Sequence, residues 1–132
     1  MNKLISIFIV VLLAIGCGSE TNANLSIWEA AEQGNIAVLQ EHIDGGVDVN
    51  VKGARTWMEA TPLHHAVKGG QLDMIQHLID QGANVNALGR ETPVGGNVTP
   101  LDISVKDENG NPDILELLRK HGAKLSLELV DE

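Results

Sequence analysis

The chain has 132 residues, with 18 Asp and Glu against 9 Lys and Arg, for a formal net charge of −9. That balance argues against holding nucleic acid or anionic headgroups on a basic face, because such binding rests on Lys and Arg neutralising phosphate, and it is compatible with a basic partner. A single cysteine permits no internal disulfide, and one Phe, two Trp and no Tyr leave the core to aliphatic side chains, which suits closely stacked helices.

Met1, Asn2 and Lys3 precede an apolar run from Leu4 to Ile15 that Gly16 closes. A membrane-spanning helix needs about 20 apolar residues and this run has about 12, so residues 1–16 read as an export signal with a small residue at its cleavage point. Cys17 comes directly after. The stretch Ala14-Ile15-Gly16-Cys17 resembles a bacterial lipobox, although Leu13 stands four places before the cysteine where that motif usually has Leu at three. The resemblance implies lipid on Cys17 and attachment to a bacterial envelope membrane, at its periplasmic face or the cell surface, through that lipid alone. Gly18 in place of Asp implies passage to an outer membrane where the cell has one. A plain signal peptide with an incidental cysteine is the alternative. Residues 17–24 then form the lipidated cysteine and a polar tether, and 25–132 one domain.

That domain repeats itself. "IWEAAEQGNIAVLQEHIDGGVDVN" (27–50) aligns without a gap to "LHHAVKGGQLDMIQHLIDQGANVN" (63–86) at an offset of 36. A third copy runs from "TPLDIS" (99–104) to "ILELLRKHGAKL" (114–125), offset by 38 at Leu101 and by 40 at Gly122, so two residues are inserted between its helices. Each unit reads as helix, tight turn, helix and a closing glycine. In the middle unit Leu63, Ala66 and Val67 give one apolar stripe, and Leu72, Ile75, Leu78 and Ile79 give another. Gly70 comes after the first helix, and Gly82 and Gly122 sit where a left-handed cap ends the second. No unit buries both stripes alone, so the three must stack.

"TPLHHA" (61–66) fits the ankyrin signature T-P-L-H-x-A, and "LIDQGANVNA" (78–87) is similar to that family's second-helix ending. "TPLD" (99–102) carries Asp102 in the His place, and the first copy keeps only the aliphatic of Leu25-Ser26-Ile27-Trp28. The chain thus resembles an ankyrin-repeat protein. The fold implied is an all-α solenoid of three helix-turn-helix units, about 25–58, 59–96 and 97–126, with extended β-turn fingers and end units that act as caps. Thr61 and Thr99 suit N-caps, and Pro62 and Pro100 suit the first helical position ahead of Leu63 and Leu101. By resemblance His64 joins the hydrogen bonds that steady the turn between units.

No cofactor or metal site emerges from the histidines. His64 and His65 are adjacent on one helix and point about 100° apart, so they cannot chelate one ion together. His42, His77 and His121 lie on second helices, His121 near a C-terminus where a cation is favoured. "DENGNPD" (107–113) alternates Asp107, Asn109, Asn111 and Asp113 like the start of a calcium loop. Pro112 then stands where the turn glycine belongs and Leu118 where the bidentate Glu belongs. A turn at Asn109-Gly110, an N-cap at Asn111 and Pro112 at N1 explain the same residues.

The residues left over point to binding. Asn50 to Thr61 is eleven steps and Asn86 to Thr99 thirteen, against about eight in a 33-residue unit. The extra length falls in the fingers, which in ankyrin arrays line one edge of the concave face. The first finger carries Arg55, Trp57, Met58 and Glu59, and the second Arg90, Glu91, Pro93 and Val94. Trp and Arg are enriched at binding hot spots, and long loops on a rigid scaffold carry function. Trp57 folding back over the neighbouring unit is the competing reading. By resemblance the first-helix ends, Glu32 and Gln33, Lys68 and Gly69, and Lys106, face the same groove.

No Ser-His-Asp spacing, phosphate-cradling glycine motif or metal cluster is present, so catalysis is not expected. The expected function is non-catalytic recognition of a protein by a lipid-tethered module, with no small-molecule substrate. The alternative is an assembly, stabilising or immunity-like inhibitory factor for an envelope enzyme or toxin.

Overall fold

A computed structural model of the protein describes residues 25–53, 59–91, 96–108 and 110–130. Three helix pairs succeed one another: α1 (Ile27–Gln33) and α2 (Ile36–Asp44), α3 (Pro62–Lys68) and α4 (Leu72–Asp80), α5 (Pro100–Lys106) and α6 (Pro112–Lys120). Strands β1 (Gly89–Glu91) and β2 (Gly96–Val98) lie between the second and third pairs, and a short helix α7 (Ser126–Val130) ends the array.

Each first helix starts on a side chain that satisfies its own end. Ser26 Oγ accepts from Glu29 N–H at 3.3 Å while Glu29 Oε2 accepts from Ser26 N–H at 2.9 Å. Thr99 and Asp102 repeat the exchange at 3.3 and 2.8 Å. In the middle unit Thr61 N–H donates to His64 Nδ1 at 3.2 Å. Substituting such a cap by Ala costs about 1 kcal/mol. Pro62, Pro100 and Pro112 occupy first helical turns, where no N–H is missed. Asn111 caps α6, accepting from Asp113 N–H at 2.9 Å, so the described part of 107–113 behaves as a cap; Asn109 lies outside the described residues. Second helices end at Gly82 and Gly122 with φ of 93° and 84°, the left-handed turn that a residue without Cβ adopts without strain.

First helices stack on first helices, α1 on α3 and α3 on α5, and α4 packs on α6. Small residues set the closeness: Ala30, Ala31 and Ala66 are fully buried, and a Cβ on Gly69 would overlap the Glu32 carbonyl oxygen. The core is aliphatic as composition requires, built on Leu39, Leu63, Met74, Ile75, Leu78, Leu101 and Leu118. Leu72 and Ile79 of the expected stripe are only half-buried, and Met74 takes the inward place beside Ile75. Removing such a side chain, as in Leu78→Ala, costs about 2–5 kcal/mol.

Two asparagines at one register join the units. Asn50 Oδ1 accepts from Asn84 N–H at 2.7 Å and its Nδ2 reaches the Gly82 carbonyl at 3.4 Å. One unit on, Asn86 Oδ1 accepts from Lys124 N–H at 2.7 Å and its Nδ2 donates to the Gly122 carbonyl at 3.1 Å. Between second helices, His77 Nε2 meets Gln40 Oε1 at 2.8 Å; within the first unit, His42 Nε2 meets the carbonyl of Leu25 ahead of α1 at 2.9 Å.

Two features refine the expected all-α solenoid. The second finger is an antiparallel hairpin pairing Gly89 with Val98, Arg90 with Asn97 and Glu91 with Gly96. The segment after Leu125 forms α7, tied down where Asp102 Oδ2 accepts from Ser126 N–H at 3.0 Å.

Candidate functional site

The hairpin is held at its root and exposed beyond it. Val98 is buried, and its carbonyl accepts from His64 Nε2 at 3.0 Å. Because Nδ1 already accepts from Thr61 N–H, the proton sits on Nε2, which fixes a neutral tautomer. Burial pushes the His64 ring down from 6.5 to about 4, so it stays neutral near pH 7. Gly89 completes the root, since a Cβ there would stand 3.2 Å from His64 Nε2. Arg90 and Asn97, paired across the hairpin, are both exposed.

The first finger is anchored in the same manner. Gly53 N–H donates to the Ala60 carbonyl at 3.1 Å, and the Trp28 indole donates to the Val51 carbonyl at 3.1 Å. Ala60 is buried and Glu59 beside it exposed. Arg55, Trp57, Met58, Pro93 and Val94 lie outside the described residues, as does the Glu91 side chain.

At the first-helix ends the structure brings two predicted contact residues together. Glu32 Oε1 meets Lys68 Nζ at 3.0 Å, and Glu32 Oε2 meets Nδ1 of buried His65 at 3.1 Å. Burial alone would raise the Glu32 carboxyl, but the His65 and Lys68 bonds outweigh it and hold the group below its ordinary range. Its backbone carbonyl accepts from Gln71 Nε2 at 3.2 Å. Glu32 and Lys68 thus fasten the first unit to the second, while remaining 36% and 39% exposed. Gln33 and Lys106 are exposed at the same helix ends. Among the first-helix ends expected to face the groove, Glu32 and Lys68 are thus paired with each other, and Gln33 and Lys106 stand exposed.

Three contributors carry no signal that the sequence alone would reveal. Trp28 looks like a lost motif position, yet it supplies the finger bond that an indole N–H allows. His65 and Gln71 are locally silent, because their partner Glu32 is more than thirty residues away. Among the described residues no group of three or more His, Cys, Asp or Glu is placed to hold a metal ion. No helix among them is long and apolar enough to cross a membrane.

The arrangement is a ledge of helix ends beside two finger roots, held at the Val98 and Val51 carbonyls. It suits recognition of a surface by several side chains at once. A family model described as ankyrin repeats (3 copies) matches residues 27–128. No curated protein matches the chain significantly.

Proposed function

Because the chain belongs to the ankyrin repeat family, we propose that it is a non-catalytic protein-binding module which grips its partner with the two fingers and the first-helix ends. The observation that carries this reading is the anchoring: Val98 and Val51 fix the finger roots, and Arg90 is left exposed beyond them. Roots that are already fixed add little ordering cost on binding. The residues assigned to contact are Arg90, Glu59, Gln33 and Lys106, whose side chains are exposed, and Arg55, Trp57, Met58, Glu91 and Val94 of the two finger sequences. The acidic balance of the chain favours a partner with a basic surface.

The module works tethered at a bacterial envelope membrane by lipid on Cys17. What supports this is the apolar run before Gly16 and the chain's one cysteine directly after it. Cys17→Ser is expected to move the protein from the membrane to the soluble fraction; unchanged membrane attachment would remove the tether from the reading.

The binding face is tested by affinity capture from solubilised envelopes, with the full chain as bait beside the variants Arg90→Glu and Trp57→Ala/Arg55→Ala. A protein held by the parent chain and lost by folded variants is the expected result. Equal retention by all baits would place recognition elsewhere on the array.

A further inference from the structure

The acid that favours a basic partner overall lies away from the fingers. Residues 51–60 and 87–98 hold Lys52, Arg55 and Arg90 against Glu59 and Glu91, whereas the rest of the chain holds 16 of the 18 Asp and Glu against six of the nine Lys and Arg. The structure repeats that division in two clefts. Between α4 and α6, Asp73, Asp113 and Glu116 wall one of them, with Lys120 as its base. The other, of about 370 Å³, opens between the finger roots, where Asn50 and Lys52 of the first stand with Asn84 and Leu88 of the second. That volume is within the range of clefts that hold a ligand. Among the described residues that line it, Lys52 is the only charged one.

The donors at this opening are not spent within the fold. Lys52 is exposed, and among the described residues no carboxylate pairs with it. Asn84 Oδ1 accepts from Asn86 N–H at 3.0 Å, which leaves the side-chain amide N–H groups of this exposed residue as donors. Buried Gly89 separates exposed Leu88 from exposed Arg90, so the alternation of an extended strand puts Arg90 on the same face as Leu88. Lys52 thus lines the opening, and Arg90 follows on the hairpin face beside it.

Resting on the reading that the fingers hold a protein, we propose that this cleft receives an acidic segment of that partner, with one Asp or Glu carboxylate meeting Lys52 and a neighbouring one meeting Arg90. A carboxylate suits the place because it only accepts, and what surrounds it here is a cation and amide donors. The acid along α4 and α6 repels such a segment from the outer face and so directs it to the fingers. Complementary charge of this kind fixes the register of the partner and rejects wrong ones more than it adds raw affinity. Any basic surface of the same partner is met by the second helices.

The test is amide NMR of the full chain in zwitterionic detergent micelles, titrated with hexaglutamate, hexalysine and free glutamate as probes, beside Lys52→Gln and Arg90→Gln. Both positions are exposed, so the helical circular dichroism should be unchanged. Hexaglutamate should move the Asn84 and Leu88 amides and bind each variant at least about fivefold more weakly. Hexalysine should instead move amides near Asp113 and Glu116. Hexalysine at the finger roots, no response to hexaglutamate, unchanged binding by the variants, or free glutamate held as tightly as the peptide would each overturn the proposal. Adding Lys52→Gln to the affinity capture separates the cleft from the reading it rests on. A partner lost by Trp57→Ala/Arg55→Ala but fully held by Lys52→Gln keeps the fingers and removes the cleft, whereas retention by every variant removes both.

Discussion

His64 and Asp102 stand at the same place in successive units and bond with opposite polarity. His64 Nε2 donates to the Val98 carbonyl at 3.0 Å, and Asp102 Oδ2 accepts from the Ser126 N–H at 3.0 Å. The difference comes from the segment that succeeds each unit. A finger presents a carbonyl to the middle unit, whereas a helix start presents an N–H to the last. Asp in the His place is therefore matched to α7. Burial would raise its carboxyl, but hydrogen bonds from Thr99 and Ser126 outweigh that and hold it below the ordinary range.

Asp102→Ala should release α7. It leaves the N–H groups of Thr99 and Ser126 without their acceptor, at a cost of about 1–3 kcal/mol. Hydrogen exchange at Ser126 should quicken while amides in α3 and α4 keep their protection; equal slowing or quickening everywhere would count against a local tie.

Acid should weaken the fold through His64. The folded ring titrates near 4 and the unfolded ring at 6.5, so between those values the unfolded chain binds more protons. The contribution is complete above about pH 6.5 and declines as pH falls towards about 4, by about 3 kcal/mol in all. Glu29, Glu32 and Asp102, with lowered carboxyl values, add losses at lower pH as they take up protons. Urea midpoints measured across this range should fall with acid, and His64→Gln should flatten the upper part of the curve.

Gly69→Ala should destabilise by about 2 kcal/mol or more, because the new methyl would overlap the Glu32 carbonyl and force α1 away from α3. Gly45→Ala is the comparison, since its nearest contact is the Glu41 carbonyl at 3.3 Å on its own helix end. Thermal melts of the two variants should differ by several degrees, with Gly69→Ala the lower.

Asn86→Ala should cost about 1–2 kcal/mol by removing the bonds to Lys124 N–H and the Gly122 carbonyl. Asn50→Ala should cost a similar amount at the preceding junction, and the double variant should be additive within about 0.5 kcal/mol, because the two side chains hold different backbone groups and the Asn86 N–H bond to Asn84 Oδ1 survives both changes. Chemical denaturation of the three proteins checks this.

The features legible in the sequence are local or repeated. Thr99-Pro100, Asn111-Pro112, Gly82 and Gly122 announce their caps because the residue and the backbone group it serves are neighbours in the chain. The alignment of Asn50 with Asn86 is equally visible, but not what they bond, since Asn84 and Lys124 are brought near only by stacking. Helix α7 is less visible: five residues nucleate poorly alone, and beside the local bond from Leu125 N–H to Glu128 Oε2 a side chain 24 positions earlier holds its start. The hairpin shows in the sequence only as an extended finger for the same reason, its root depending on His64. Of the candidate face, the repeat register places Glu32 and Lys68 at first-helix ends, while their mutual pairing needs two units in contact.

The asparagine bonds run in one direction. Each side chain belongs to an earlier unit, and each backbone group it holds belongs to the next. A substitution at such a position therefore leaves its own unit covalently and sterically intact and loosens the one downstream. Tolerance to sequence change at residue 50 is decided at residues 82 and 84, so a damaging replacement and the segment that first opens to solvent are different places in the chain.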